Sequence, residues 1–172
     1  MIFGRPGSGK STFAMYLQKT LKIPLHHLDK YFFRDNWVER NYDEFLEKQK
    51  SLVRGDSWIV DGNSIKSLEM RYSEADLILY FNYPRWICYF RALKRFFYKD
   101  KCIEDLSEGC ENSIRFPLLK YMWNFEQRVE FQLEKLKQKY PEKLFMEIRD
   151  DVSLHKIKKE IQDEKIHNKS EI

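Results

Sequence analysis

The chain has 172 residues, 42% hydrophobic and 16% aromatic, enough to bury one sizeable core and to exclude a disordered or fibrous protein. Its 31 Lys and Arg against 27 Asp and Glu give a formal charge of +4, which suits anionic ligands but is too small an excess to argue for nucleic acid by itself. It has no apolar run of membrane-spanning length, and "MIFGRPGSGK" lacks the basic and apolar segments of a secretory leader, so a cytoplasmic protein is expected.

In chain order, Met1 to Phe3 read as a stub of strand. Only three residues precede the glycine-rich segment, so either this strand is short or the natural start lies upstream. Gly4-Arg5-Pro6-Gly7-Ser8-Gly9-Lys10-Ser11 then satisfies G-x-x-x-x-G-K-[ST] in full. Glycines free the backbone to turn its N–H groups onto phosphate oxygens, and the following helix adds its positive end. Gly4, Pro6, Gly7, Ser8, Gly9, Lys10, Ser11 and Thr12 are therefore the candidate ATP-phosphate residues. Lys10 reaches the outer phosphates, and Ser11 can ligate Mg²⁺.

Lys10 to Lys22 has helical spacing at Phe13, Tyr16, Leu17 and Leu21, with Pro24 as a stop. Leu25 to Leu28 is a short strand that ends at Asp29. From a strand end, Asp29 could accept a proton from an attacking hydroxyl, orient the acceptor or the metal, or simply cap a turn. His26 and His27 are adjacent on that strand, face opposite sides and read as ordinary strand residues. Tyr42 to Val53 is a helix, and Gly55-Asp56 turns the chain into a third strand, Trp58 to Val60. "WIVDGN" follows the pattern in which a strand ends on a carboxylate that orients Mg²⁺ through water; Asp61 is the candidate, the alternative being an Asp-Gly turn.

Leu77 to Phe81 is a fourth strand, and Pro84 opens a helix to about Tyr98. Arg91 and Arg95, four apart, share one face and are candidates for stabilising a transferring γ-phosphoryl; a solvated basic face or a nucleic-acid patch are the alternatives. Lys99 to Gly109 is polar and could form a mobile cover that excludes water. Ile114 to Tyr140 is one long helix or two, with Arg128 as a further candidate lid arginine. Leu144 to Ile148 is a fifth strand, Val152 to about Ile166 a last helix, and 167–172 a frayed tail. Cys88, Cys102 and Cys110 lack CxxC spacing and read as small apolar fillers in a reducing compartment.

This alternation predicts one α/β domain over 1–166, a parallel sheet with helices on both faces and a lid insertion at about 98–128. The order GRPGSGKST, HLDKYFF with Trp37, WIVDGN, LEMRYSEADLILYFNYPRW and Gly109-Cys110 resembles the DNA topology modulation (FlaR-type) family of adenylate-kinase-like P-loop kinases, over Ile2 to about Ile161. The resemblance implies a P-loop three-layer sandwich with strand order 2-3-1-4-5, a helical lid, and ATP with Mg²⁺. It implies transfer of the γ-phosphoryl to a nucleotide, nucleoside or other small acceptor. The alternative is a nucleotide-binding regulator of DNA topology with little kinase activity. Adenylate kinases proper carry Asp-Gly-Phe-Pro-Arg after the third strand. Here Asp61-Gly62 continues as Asn63-Ser64-Ile65-Lys66, so the arginine that grips the acceptor phosphate is missing, and Lys66 or Arg71 is left to substitute. Asp29 is similar to the acid after strand two in shikimate and gluconate kinases, which serves a hydroxyl acceptor.

Overall fold

Five short apolar runs form the strands β1 (Ile2–Gly4), β2 (Leu25–His27), β3 (Ile59–Asp61), β4 (Leu77–Phe81) and β5 (Leu144–Ile148) of a computed structural model that describes residues 1–98 and 116–170. All neighbours pair in parallel, in the order β2-β3-β1-β4-β5. The helices between them are α1 (Lys10–Leu21), α2 (Leu28–Phe32), α3 (Tyr42–Val53), α4 (Leu68–Glu74), α5 (Arg85–Tyr98), α6 (Phe116–Lys139) and α7 (Asp151–Ser170). A parallel neighbour needs a crossover connection, and the helices supply it, covering both faces of the sheet.

Alternation along the strands divides the core. On one face Ile2, Leu79 and Phe81 pack with Phe13, Ala14 and Leu17 of α1, Cys88 of α5 and Ile157 of α7. On the other, Phe3, Ile78 and Tyr80 meet Leu68 and Tyr72 of α4 and Phe125, Val129, Leu133 and Leu136 of α6. The α6 residues recur every three or four positions, the stripe a helix needs to lie on a sheet. Cys88 is buried, and burial pushes its thiol up, as suits an apolar filler.

The structure departs from the sequence expectation in several places. The second strand stops at His27, and Leu28 instead begins α2. Leu28 is 1% exposed and packs with Phe45 and Val60, while the helical turn brings Phe32 onto Phe45, centroids 4.9 Å apart. Tertiary burial overrides the strand signal. Asp29 therefore lies in the first turn of a helix rather than at a strand end. The 3₁₀ turn Ile65–Ser67 and α4 are too short for periodicity to reveal. From Phe116 onward the long aromatic stretch is a single helix, and α7 runs to Ser170, so 167–170 are helical rather than frayed. The expected cover at 99–109, with Cys102 and Cys110, lies outside the described residues; 116–128 form the first half of α6. Among the described residues no helix is long and apolar enough to cross a membrane.

Candidate active site

The sheet order sets the site. β1 is central, and the loop from Gly4 to Gly9 rises from its carboxyl end into α1, between the ends of β3 and β4. In open α/β sheets this edge is where ligands bind. The loop is anchored by backbone: Arg5 N–H donates to the Phe81 carbonyl at 3.2 Å, and Ser8 N–H to the Arg5 carbonyl at 3.1 Å. Two glycines are sterically required. A Cβ on Gly4 would stand 2.3 Å from the Phe81 oxygen. One on Gly7, whose φ is +80°, would stand 2.4 Å from the Cys88 oxygen. Gly9 caps α1 in the left-handed region and offers no side-chain acceptor, so the first-turn N–H groups of this 12-residue helix keep their positive end for an anion.

Lys10 and Ser11 are the first residues of α1, Ser11 buried and Thr12 exposed. Lys10 Nζ lies 3.3 Å from Ser11 Oγ and 3.6 Å from Asp61 Oδ1. Asp61 ends β3 and is 3% exposed. Its Oδ2 accepts from His27 Nδ1 at 2.9 Å, while Oδ1 is buried with no hydrogen-bond partner. Burial alone would push this carboxyl up, but Lys10 and the His27 hydrogen bond outweigh it and hold the group below its ordinary value. A buried, ionised carboxylate whose Oδ1 faces Lys10 without a hydrogen bond, beside the loop serine, has the donor chemistry of a hydrated Mg²⁺ site. Ser11 and Asp61 are the residues that would hold the ion. Among the described residues no cluster of three or more His, Cys, Asp or Glu forms a closed metal cage.

Arg91 comes to the loop from α5. Its Nη1 donates to the Ser8 carbonyl at 3.1 Å, and its Nη2 to both Asp151 oxygens at 2.8 and 3.0 Å. It also stacks 4.6 Å over Tyr83, whose hydroxyl donates to Asp151 at 2.8 Å. Arg95 is partly buried one turn farther along the same helix. Arg128 is not over the loop contacts described so far. It is exposed on α6 and stacks on the Tyr121 ring at 5.4 Å. Burial raises the Tyr121 phenol; the Arg128 charge opposes this and the Asp29 charge adds to it, so Arg128 and Asp29 act on one neighbourhood. Asp29 itself is exposed, two residues beyond His27.

Two expected acceptor groups are differently employed. Arg71 is fully buried, and its guanidinium donates to the carbonyls of Gly62, Ser64 and Ser67 at 3.0, 2.6 and 3.4 Å. It holds the segment after Asp61 in shape; burial lowers its pKa to about 10, still charged at neutrality. Lys66 is exposed and stacks 5.3 Å over Tyr42. Three positioning residues escaped the sequence reading. His27, read as an ordinary strand residue, pairs with Asp61. Asn63 accepts the Gly4 N–H at 3.0 Å, and Arg5, 2% exposed, donates to the Tyr83 carbonyl at 2.7 Å and to Glu126 of α6 at 3.0 Å. Only the spacing Asp61-Gly62-Asn63 carried any local hint; the other two contacts span 34 and 121 residues.

No protein-family model matches the chain, and no curated protein matches it. Among solved structures it is similar to deoxyadenosine kinase from M. mycoides, solved with dCMP and dCDP, at 14% identity and a TM-score of 0.51, covering 94% of this chain and 97% of that one. It is also similar to shikimate kinase from Aquifex aeolicus, at 16% identity and a TM-score of 0.43 over 77% of this chain and 98% of that one. An uncharacterized protein from Eubacterium ventriosum matches at 15% identity and a TM-score of 0.46, over 94% and 96% of the two chains. The five-stranded parallel sheet, its order and the loop after β1 give this chain the fold of the P-loop kinases.

Proposed function

We propose that this protein is an ATP-dependent phosphotransferase that moves the γ-phosphoryl of ATP to a small acceptor. The observation that carries the reading is the convergence of Lys10, Ser11 and Asp61 at the mouth of a glycine loop, with Arg91 hydrogen-bonded to that loop from α5. The loop N–H groups and Lys10 bind and orient the phosphates. Magnesium, held at Ser11 and Asp61, supplies charge neutralisation on the phosphate oxygens when bound. Arg91, with Arg95 on the same helix, brings positive charge toward the group being transferred.

The acceptor we favour is a hydroxyl. The two residues left to grip a phosphate acceptor are otherwise engaged, Arg71 on carbonyls and Lys66 on Tyr42, so a phosphate acceptor would have to rely on Arg128. A hydroxyl acceptor needs a base instead, and Asp29 is an exposed carboxylate in the neighbourhood it shares with Arg128 and Tyr121. The test is an acceptor screen with labelled ATP against nucleosides, nucleoside monophosphates and small polyols. Transfer to an alcohol that falls at least about a hundredfold in Asp29→Asn supports the base. Transfer to a monophosphate with little loss in the variant would replace the hydroxyl with a phosphate, which is already ionised. No transfer to any acceptor, with ATP bound, would remove the phosphotransferase reading.

A further inference from the structure

Asp61 has two oxygens with different fates. Oδ2 is committed to His27, and Oδ1 is the buried atom without a hydrogen bond that lies 3.6 Å from Lys10 Nζ. That split is built into the sheet. His27 ends β2, Asp61 ends β3, and the parallel register pairs them directly, so their side chains leave the same face side by side. Both are buried, with side chains 10% and 3% exposed, and water does not substitute freely for either partner. An ionised carboxylate only accepts hydrogen bonds, so Nδ1 of His27 must be the donor, whichever form the ring takes at Nε2.

Asp61 also feels a second cation. The charge of the fully buried Arg71 interacts with that of Asp61, and Arg71 binds the carbonyl of the very next residue, Gly62. A carboxylate not held from the β2 side is free to rotate toward that guanidinium and away from Lys10 and Ser11.

We infer that His27 is a positioning residue: it holds the Asp61 carboxylate in the one rotamer that turns Oδ1 toward Lys10, Ser11 and the magnesium of bound ATP. This rests on the phosphotransferase reading only in its nucleotide half, the binding of ATP with its metal, and not on the acceptor. Outer-shell partners of metal-site carboxylates typically account for ten- to a hundredfold in metal affinity. His27 also lies two residues before Asp29, so one short stretch of chain sets the carboxylate on the phosphate side and carries the candidate base on the acceptor side.

The test is calorimetric ATP binding to the full chain, with magnesium and with EDTA, for the parent and for His27→Ala, His27→Asn and His27→Gln. The readout is the ratio of the two affinities. An Asn amide nitrogen falls near the position of Nδ1, whereas a Gln amide reaches to that of Nε2. The parent and His27→Asn are expected to show the same magnesium enhancement. His27→Ala and His27→Gln are expected to lose about tenfold of it, with metal-free affinity unchanged within about twofold. Equal enhancement in all four proteins overturns the inference. So does a loss in His27→Ala that is the same with and without magnesium, which would be a merely structural role. If His27→Ala does not fold, Asn and Gln carry the comparison, and like behaviour of those two overturns it. A parent that binds ATP without any magnesium enhancement overturns this inference and the metal assignment together. A variant-independent enhancement leaves the phosphotransferase reading standing and removes only His27.

Discussion

Gly7 has no room for a side chain. Its φ of +80° already disfavours one, and a Cβ would sit 2.4 Å from a backbone oxygen of α5. Gly7→Ala is expected to lower stability by about 1–3 kcal/mol, read as a fall in the urea midpoint, and to weaken ATP binding because the loop must open to accommodate it. Asp61 carries the pH dependence of the site. Its folded carboxyl titrates below the ordinary 3.8. The stability it contributes is therefore complete above 3.8 and is lost as pH falls through the lower folded value. The stability difference between the parent and Asp61→Asn should accordingly hold constant from neutrality to about pH 5 and narrow below about pH 4. Urea titrations at a series of pH values measure it. A difference that widens on acidification would mean the carboxyl is raised, not lowered.

The elements differ in how they are secured. α1 begins on a glycine with no side-chain cap, whereas α3 is closed by a side chain: Asn41 Oδ1 accepts from the N–H groups of Asp43 and Glu44 at 2.8 and 3.2 Å. Acidic Asp43 and Glu44 in the first turn add to that end. Asn41→Ala should cost about 1 kcal/mol of stability with no effect on ATP affinity, since α3 packs through Phe45 and Val53 against Leu28 of α2 and Val60 of β3 rather than at the loop. Thermal melting with and without ATP separates the two effects. α6 plays a different part. Its inner stripe seals one sheet face, its Glu126 receives Arg5 from the loop, and its Arg128 stacks on Tyr121.

For the molecule as a whole, ligand binding and fold stability are linked. Saturation at about a hundred times Kd adds about 2.7 kcal/mol. In a domain of this size that raises Tm by roughly 5–10 °C. ATP with magnesium should therefore shift the parent's melting, and Lys10→Ala should show almost no ATP shift from its own ligand-free Tm, which lies below the parent's because the buried Asp61 loses its cation. Lys10 is partly buried and belongs to no core cluster, so its removal leaves the apolar packing in place and the ATP shift is read against the variant's own ligand-free melting. A full ATP shift in Lys10→Ala would remove this loop from the binding site.

Local signals were enough for the loop and for β4, β5 and α3, whose bounds coincide with the spans read from periodicity and breakers; the strand order, which no local signal carried and only the family resemblance implied, is the one observed. Gly4 to Ser11 is legible because a phosphate-binding loop of this kind works by backbone shape, which a contiguous string of residues encodes. Contacts across the sheet are not written that way. Whether Arg71 faces a ligand or three carbonyls, whether His27 is strand filler or the partner of Asp61, and whether Leu28 extends a strand or begins a helix were all decided by what the completed core left buried beside them. A buried polar group must find its partner wherever the fold brings one, and that partner can be 34 or 121 residues away.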